Sequence, residues 1–243
     1  MLYSPGHRFL FVHIPKTGGT SLRAAFKPLL YRDPWYWLMW APQRLSHLTQ
    51  HRTVTKFPRH AKLVAAEEML PSSVYRQLFI FSVVRNPWDR LVSAYHHLHK
   101  EFPEVVRWQD FEGFVQYGLE PDREPSYHVD VVVRPQIDYL VTFAGELGAS
   151  YLVRFESLVG GIEEVQRRLG KRAAKLPHRR KGQRGRDYRS YYNDALAETV
   201  GRYYARDIAT FGYTFTPPEA AGAPPASNAD SLGNQLGSRR IVG

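Results

Sequence analysis

Residues 8–30 read RFLFVHIPKTGGTSLRAAFKPLL, and this stretch decides the fold. Arg8 to His13 is an apolar run of strand length, closed by Pro15 and the Gly18-Gly19 pair. Thr20 to Leu30 then reads as a helix, with Thr20 or Ser21 available as its N-cap. Two consecutive glycines let the backbone turn closely around a ligand, and the amides opening the helix point at it with the positive end of the helix dipole. Lys16 adds a point charge, and Thr17, Thr20 and Ser21 add hydroxyl donors, so the element suits a phosphate or phosphosulfate group. It differs from the usual nucleoside-triphosphate loop, GxxxxGK[ST], because its lysine precedes the glycines.

The same layout recurs downstream. Leu78 to Val84 (LFIFSVV) has the continuous apolar character of a strand buried on both faces. Arg85, Asn86 and Pro87 follow, then a helical pattern with Leu91, Tyr95 and Leu98 on one stripe. Asn86 can cap this helix, and Pro87 fits its first position. Arg85 leaves the strand end where its planar fork can grip phosphate oxygens, and Ser93 lies two helical turns further on, roughly 12 Å along the axis. Taken singly, Arg85 reads as a surface ion pair and Ser93 as a hydroxyl bonded back to its own helix.

Further along, helices are expected near 61–70, 111–118, 159–169 and 195–211, and a strand near 151–154. Strands alternating with helices predict a single α/β domain over residues 1–216, with a mainly parallel central sheet flanked by helices. Such sheets bind ligands at the carboxyl ends of their strands, where both loops lie. From Pro217 to Gly243 the composition turns to Ala, Pro, Gly, Ser and Asn, the pattern of a disordered tail.

The formal charge is +10, and residues 217–243 add nothing to it, so the excess sits on the folded part and points to an anionic ligand. There is no cysteine, hence no disulfide framework or thiolate chemistry. No apolar run approaches the ~20 residues of a spanning helix, and no signal peptide is seen, so the expectation is a cytoplasmic protein without a transmembrane segment.

HIPKTGGTS followed by VVRNPWDRLVSAY resembles the paired signatures of the sulfotransferases that use 3'-phosphoadenosine-5'-phosphosulfate (PAPS), especially the branch of carbohydrate sulfotransferases and their bacterial relatives. The likeness continues through RPQIDYL (134–140), VRFESL (153–158) and residues 191–215. It implies a nucleotide-kinase-like (P-loop-kinase-like) fold and transfer of a sulfuryl group from PAPS to an acceptor hydroxyl, releasing 3',5'-bisphosphoadenosine (PAP). By the same likeness, Lys16 meets the phosphosulfate and its bridging oxygen, and Thr17, Gly18, Gly19, Thr20 and Ser21 line the 5' side. Arg85 and Ser93 hold the 3'-phosphate. The string RKGQRG resembles the RKGxxG element of cytosolic sulfotransferases, which assigns Arg180, Lys181 and Gly182 to the 3'-phosphate as well; read by charge alone, the run is a solvated face or flexible arm.

Sulfuryl transfer needs a group to take the hydroxyl proton, and histidine is the natural base near neutral pH. Of ten histidines, His60 is favoured because it lies between the two phosphate motifs, where the resembling enzymes carry theirs. His47, His51 and the Glu67-Glu68 pair compete. His96, His97 and His99 lack the i, i+4 spacing of a helical metal pair and read as surface; no metal is expected. Gln136 is a candidate contact to acceptor or cofactor and Glu156 a residue that orients a neighbour, a structural role being equally open to both, and Trp35, Tyr36, Trp37 and Trp40 are either a sugar platform or else core or an interface. The implied acceptor is a carbohydrate or glycoconjugate, and no nucleic-acid partner is expected. An ATP-dependent small-molecule kinase and a basic polyanion binder are the alternatives. The loop argues against the first, and no recognition module supports the second.

Overall fold

The computed structural model describes residues 1–37, 57–170 and 187–216. The expected tail therefore lies outside the described residues, as do His47, His51, Trp40, Arg180, Lys181 and Gly182. Leu2–Ser4 (β1) pairs antiparallel with Phe9–Val12 (β2), which runs parallel to Phe79–Val84 (β3), and β3 runs parallel to Tyr151–Arg154 (β4). The sheet order is β1-β2-β3-β4.

Side chains alternate across a strand, and the two central strands here are apolar on both sides. Leu10, Val12, Ile80 and Val84 enter one core, with Leu63 and Ala66 of Leu63–Met69 and with Leu140, Phe211 and Tyr213. Phe9, Phe11, Phe81 and Val83 enter a second, against Leu22, Ala25 and Phe26 of one helix and Ile162 and Val165 of another. These helices are α1 (Gly19–Tyr31) and, later in the chain, Leu158–Arg168. Phe9, Phe11, Phe26 and Phe81 are fully buried, each contributing about 1.5–3 kcal/mol relative to exposure. The remaining helices in chain order are α2 (Leu63–Met69), α3 (Ser72–Tyr75), α4 (Pro87–Glu101), α5 (Phe111–Leu119) and α6 (Tyr127–Val133), then α7 (Leu158–Arg168), α8 (Asp194–Tyr203) and α9 (Ala205–Phe211). Trp88, Leu91, Val92 and Leu98 of α4 pack on Phe111, Phe114, Val129 and Val133 to form a third core beside the sheet.

Two local expectations change. Gly18, not Thr20 or Ser21, is the N-cap of α1, at φ 82° and without a side-chain cap bond. The cap residue sits where the chain must take a left-handed turn, which glycine adopts at no steric cost. The helix expected over 195–211 is broken at Tyr204 (φ −96°, ψ 22°) into α8 and α9. Tyr204 is fully buried and donates its hydroxyl to the Val133 carbonyl, while Asp207 is buried and accepts from the amides of Gln136 and Ile137. These fixed contacts bend the segment. By contrast, Asn86 caps α4 as expected, accepting from the Trp88 amide, and Pro87 opens it. Among the described residues, no helix is long and apolar enough to cross a membrane.

Candidate active site

Because β2 and β3 are parallel, their carboxyl ends open on one edge of the sheet, and the loops that follow them meet there. They line one cleft of about 1760 Å³. Lys16, Gly18, Gly19, Thr20 and Ser21 form one wall, with His13, Arg59 and His60 beside them; Arg85, Asp89, Ser93 and Phe155 form another. The cleft continues along the second half of α4 to His96, His97 and Phe102, and to Tyr127 and His128. A smaller cavity of about 480 Å³, between Trp88, Gly201 and Phe215, shares no lining residue with it.

The first loop is held in a costly shape. Lys16 has φ 66°, a left-handed conformation that a lysine rarely adopts, and Gly18 has φ 82°. Thr17 secures the turn from within: it is buried, and its hydroxyl donates to the Ile14 carbonyl at 2.9 Å. Its side chain is thus absent from the cleft wall. Gly19 is packed beneath the His13 ring so closely that a Cβ there would lie 1.8 Å from His13 Nε2, and a Cβ on Gly18 would lie 2.9 Å from Phe155.

Arg85 is tied to this loop directly, its Nη1 donating to the Lys16 carbonyl at 3.0 Å. Its Nε and Nη2 grip Asp89 Oδ2 at 2.7 and 2.6 Å, and its guanidinium stacks on Phe155 at 4.1 Å. Three of its five N–H donors are therefore engaged, leaving two for a ligand. The fork that the sequence aims at a phosphate is closed on Asp89. Ser93, two turns along α4, is buried at the cleft wall.

Behind Arg85 stands a polar frame. Gln136 Oε1 accepts from the Arg85 amide at 2.9 Å, and its Nε2 donates to the Arg85 carbonyl at 2.8 Å. Asp207 fixes Gln136 in turn, accepting from its amide at 2.8 Å. Burial raises the pKa of Asp207. Gln136 therefore holds the strand end and does not line the cleft. Glu156 plays the orienting part expected of it, accepting from the Asn86 amide at 2.9 Å and from the Tyr213 hydroxyl at 3.0 Å.

His60 lies on the opposite lip, half-buried, its Nδ1 3.1 Å from the His13 carbonyl. A carbonyl can only accept, so Nδ1 carries the proton and Nε2 keeps its lone pair. Burial lowers the pKa of His60, partly offset by this hydrogen bond. The His13 ring lies 4.6 Å from the His60 ring and on Phe11, with its Nδ1 lacking a partner. Burial, and next the unfavourable proximity of the His60 imidazole, pull its pKa down to about 2. The competing carboxylates fall elsewhere: Glu67 accepts from the Phe143 amide, and neither Glu67 nor Glu68 lines the cleft. His96 and His99 are exposed, as expected of surface residues, and His96 and His97 also line the cleft, whereas His99 accepts from the Trp108 indole. Trp35 and Trp37 are exposed and lie outside the cleft lining.

The model of the family described as the sulfotransferase family matches residues 1–214. The chain belongs to the sulfotransferase family. This sulfotransferase resembles two solved structures. One is a sulfotransferase from Alicyclobacillus acidocaldarius, 17% identical, with 86% of this chain and 94% of that one covered and a TM-score of 0.42. The other is the mouse sulfotransferase SULT7A1 complexed with PAP, 14% identical, with 96% and 90% covered and a TM-score of 0.46. No curated protein sequence is detectably similar to this sulfotransferase.

The expectation of a sulfotransferase on an α/β scaffold therefore holds, and the kinase and the polyanion binder give way to it. Among the cleft-lining residues to which the sequence assigned no role are His13, Arg59, Asp89 and Phe155. Asp89 had a legible signal, four residues after Arg85 and in the first turn of α4. The other three touch partners that only the folded chain brings near.

Proposed function

We propose that the cleft binds PAPS and transfers its sulfuryl group in line to a hydroxyl of a carbohydrate or glycoconjugate. What carries this reading is the meeting of two phosphate-suited loops in one cleft with a neutral histidine at its lip. The amides opening α1, which Gly18 leaves uncapped by any side chain, and the Lys16 ammonium receive the 5'-phosphosulfate. Arg85 and Ser93 receive the 3'-phosphate, with Arg85 yielding part of its hold on Asp89. Arg180, Lys181 and Gly182 complete that end.

In the reaction the acceptor oxygen forms a bond to sulfur as the bridging S–O bond breaks. His60 Nε2 takes the hydroxyl proton, and Lys16 offsets the charge that develops on the departing phosphate oxygen. Positioning and electrostatics supply most of the rate, as in phosphoryl transfer. Incubation with radiolabelled PAPS and a panel of glycans tests the reading. Label should appear on a glycan with wild type and fall at least a hundredfold with Lys16→Ala. Absence of transfer to every acceptor, together with no binding of PAP, would overturn it.

A further inference from the structure

The aromatic run that follows α1 plays no part in the cleft. Tyr31, Trp35 and Trp37 are 47%, 58% and 44% exposed, although rings of this size are on average among the well-buried side chains. Tyr31 and Trp37 stack with centroids 5.6 Å apart, Tyr36 touches both rings, and the Trp37 indole donates to the Tyr31 carbonyl at 2.8 Å. Cations border these rings. The Lys27 ammonium lies 5.3 Å from the Tyr31 ring, and Arg32 is exposed next in the chain. Arg8 is exposed in the turn between β1 and β2, and that turn is tied to the same end of α1, because its Gly6 amide donates to Asp33. Asp33 is the only acid in residues 23–37, and it is fully buried. It accepts from Ser4 Oγ at 2.5 Å and from the Gly6 and Trp35 amides at 2.9 and 3.0 Å. The surface therefore shows solvent its rings and positive charges, while the negative charge is turned inward.

Tryptophan and tyrosine rings, apolar in body and polar at one edge, settle at the boundary between headgroups and acyl chains, and neighbouring Lys and Arg meet anionic headgroups. A sugar stacked on these rings presents no hydroxyl at Lys16: the opening residues of α1 line the cleft, and its 13 residues set the aromatic end about 20 Å away. We infer that this surface seats the protein on a membrane bearing anionic phospholipid. The exposed rings enter the headgroup layer, and Lys27 and Arg32 face its phosphates. The cleft, at the other end of α1, stays open to the aqueous side.

The test is co-sedimentation of the full chain with phosphatidylcholine vesicles that contain or lack phosphatidylglycerol. Binding should be about tenfold or more tighter with the anionic lipid and should weaken as salt is raised. The double variant Trp35→Ser with Trp37→Ser should lose about tenfold or more of the affinity for the anionic vesicles, and Lys27→Gln with Arg32→Gln should narrow the preference between the two vesicles. A second measurement needs no variant: phospholipids brominated on their acyl chains should quench the tryptophan fluorescence of the bound wild-type protein. Failure to bind either vesicle overturns the inference, as does full binding by the Trp35→Ser, Trp37→Ser protein, or bound wild type that the brominated chains leave unquenched. So does a dimer in sedimentation velocity that the double variant dissociates, since the rings would then join two copies of this chain.

Discussion

His60 enters the proposed reaction neutral because burial disfavours its charged form, so its pKa lies below the ordinary 6.5. A base acts only when deprotonated. Activity should therefore hold through neutrality and fall as pH drops through the folded-state value, giving an acid limb in kcat/KM centred below 6.5. His60→Ala should abolish that limb and lower kcat by about 10²–10⁴; a wild-type limb centred above 7 would remove His60 from the role. His13 is a different case, since it makes no proton transfer and is only packed. Its pKa is about 2 folded and 6.5 free, so above 6.5 it costs nothing, and below 6.5 the unfolded chain takes up a proton that the folded one refuses. Stability should thus decline with falling pH by up to about 1.4 kcal/mol per unit from this residue. Chemical denaturation of wild type and His13→Gln at pH 7 and pH 5 reads the effect as a difference in slope, and equal slopes would refute it.

At the scale of elements, the two strand-loop-helix units owe their function to what they leave unfilled. Gly19 leaves room for the His13 ring, and Gly19→Ala would drive a Cβ to 1.8 Å from it. The loop must then open, so Gly19→Ala should lose PAP binding by calorimetry while Gly19→Ala with His13→Ser regains part of it. No regain would mean that the glycine serves the ligand and not the ring. These units were legible because their signals are local: apolar runs, paired glycines, and Asn86 and Pro87 at a helix start. The polar frame was not. Gln136 reads equally as a ligand contact and as a structural residue until Asp207, 71 positions away, is seen holding it against the backbone of Arg85. The break at Tyr204 was hidden for the same reason, because α8 and α9 carry one continuous helical pattern, and the contacts that bend it, to the Val133 carbonyl and to the Gln136 and Ile137 amides, are distant in sequence. In each instance the deciding partner was supplied by the tertiary fold.

At the scale of the whole molecule, the proposed nucleotide would bridge loops that come from separate parts of the chain. A ligand that binds only the folded state stabilises it by about 2.7 kcal/mol at a hundredfold excess over Kd, and a chain of this size gains about 2–4 °C in Tm per kcal/mol. PAP at that excess should therefore raise Tm by about 5–10 °C. ATP, which lacks the 3'-phosphate that Arg85 and Ser93 are proposed to hold, should raise it far less at equal concentration. Lys16→Ala and Arg85→Ala should each cut the PAP-induced shift, though they belong to different loops, because the proposed site needs both loops to hold the nucleotide. Arg85→Ala should also lower Tm without ligand, since it removes the bond to the Lys16 carbonyl and leaves Asp89 without its two-point partner. If ATP matched PAP, or if both variants kept the full shift, the two loops would not be acting on one doubly phosphorylated adenosine.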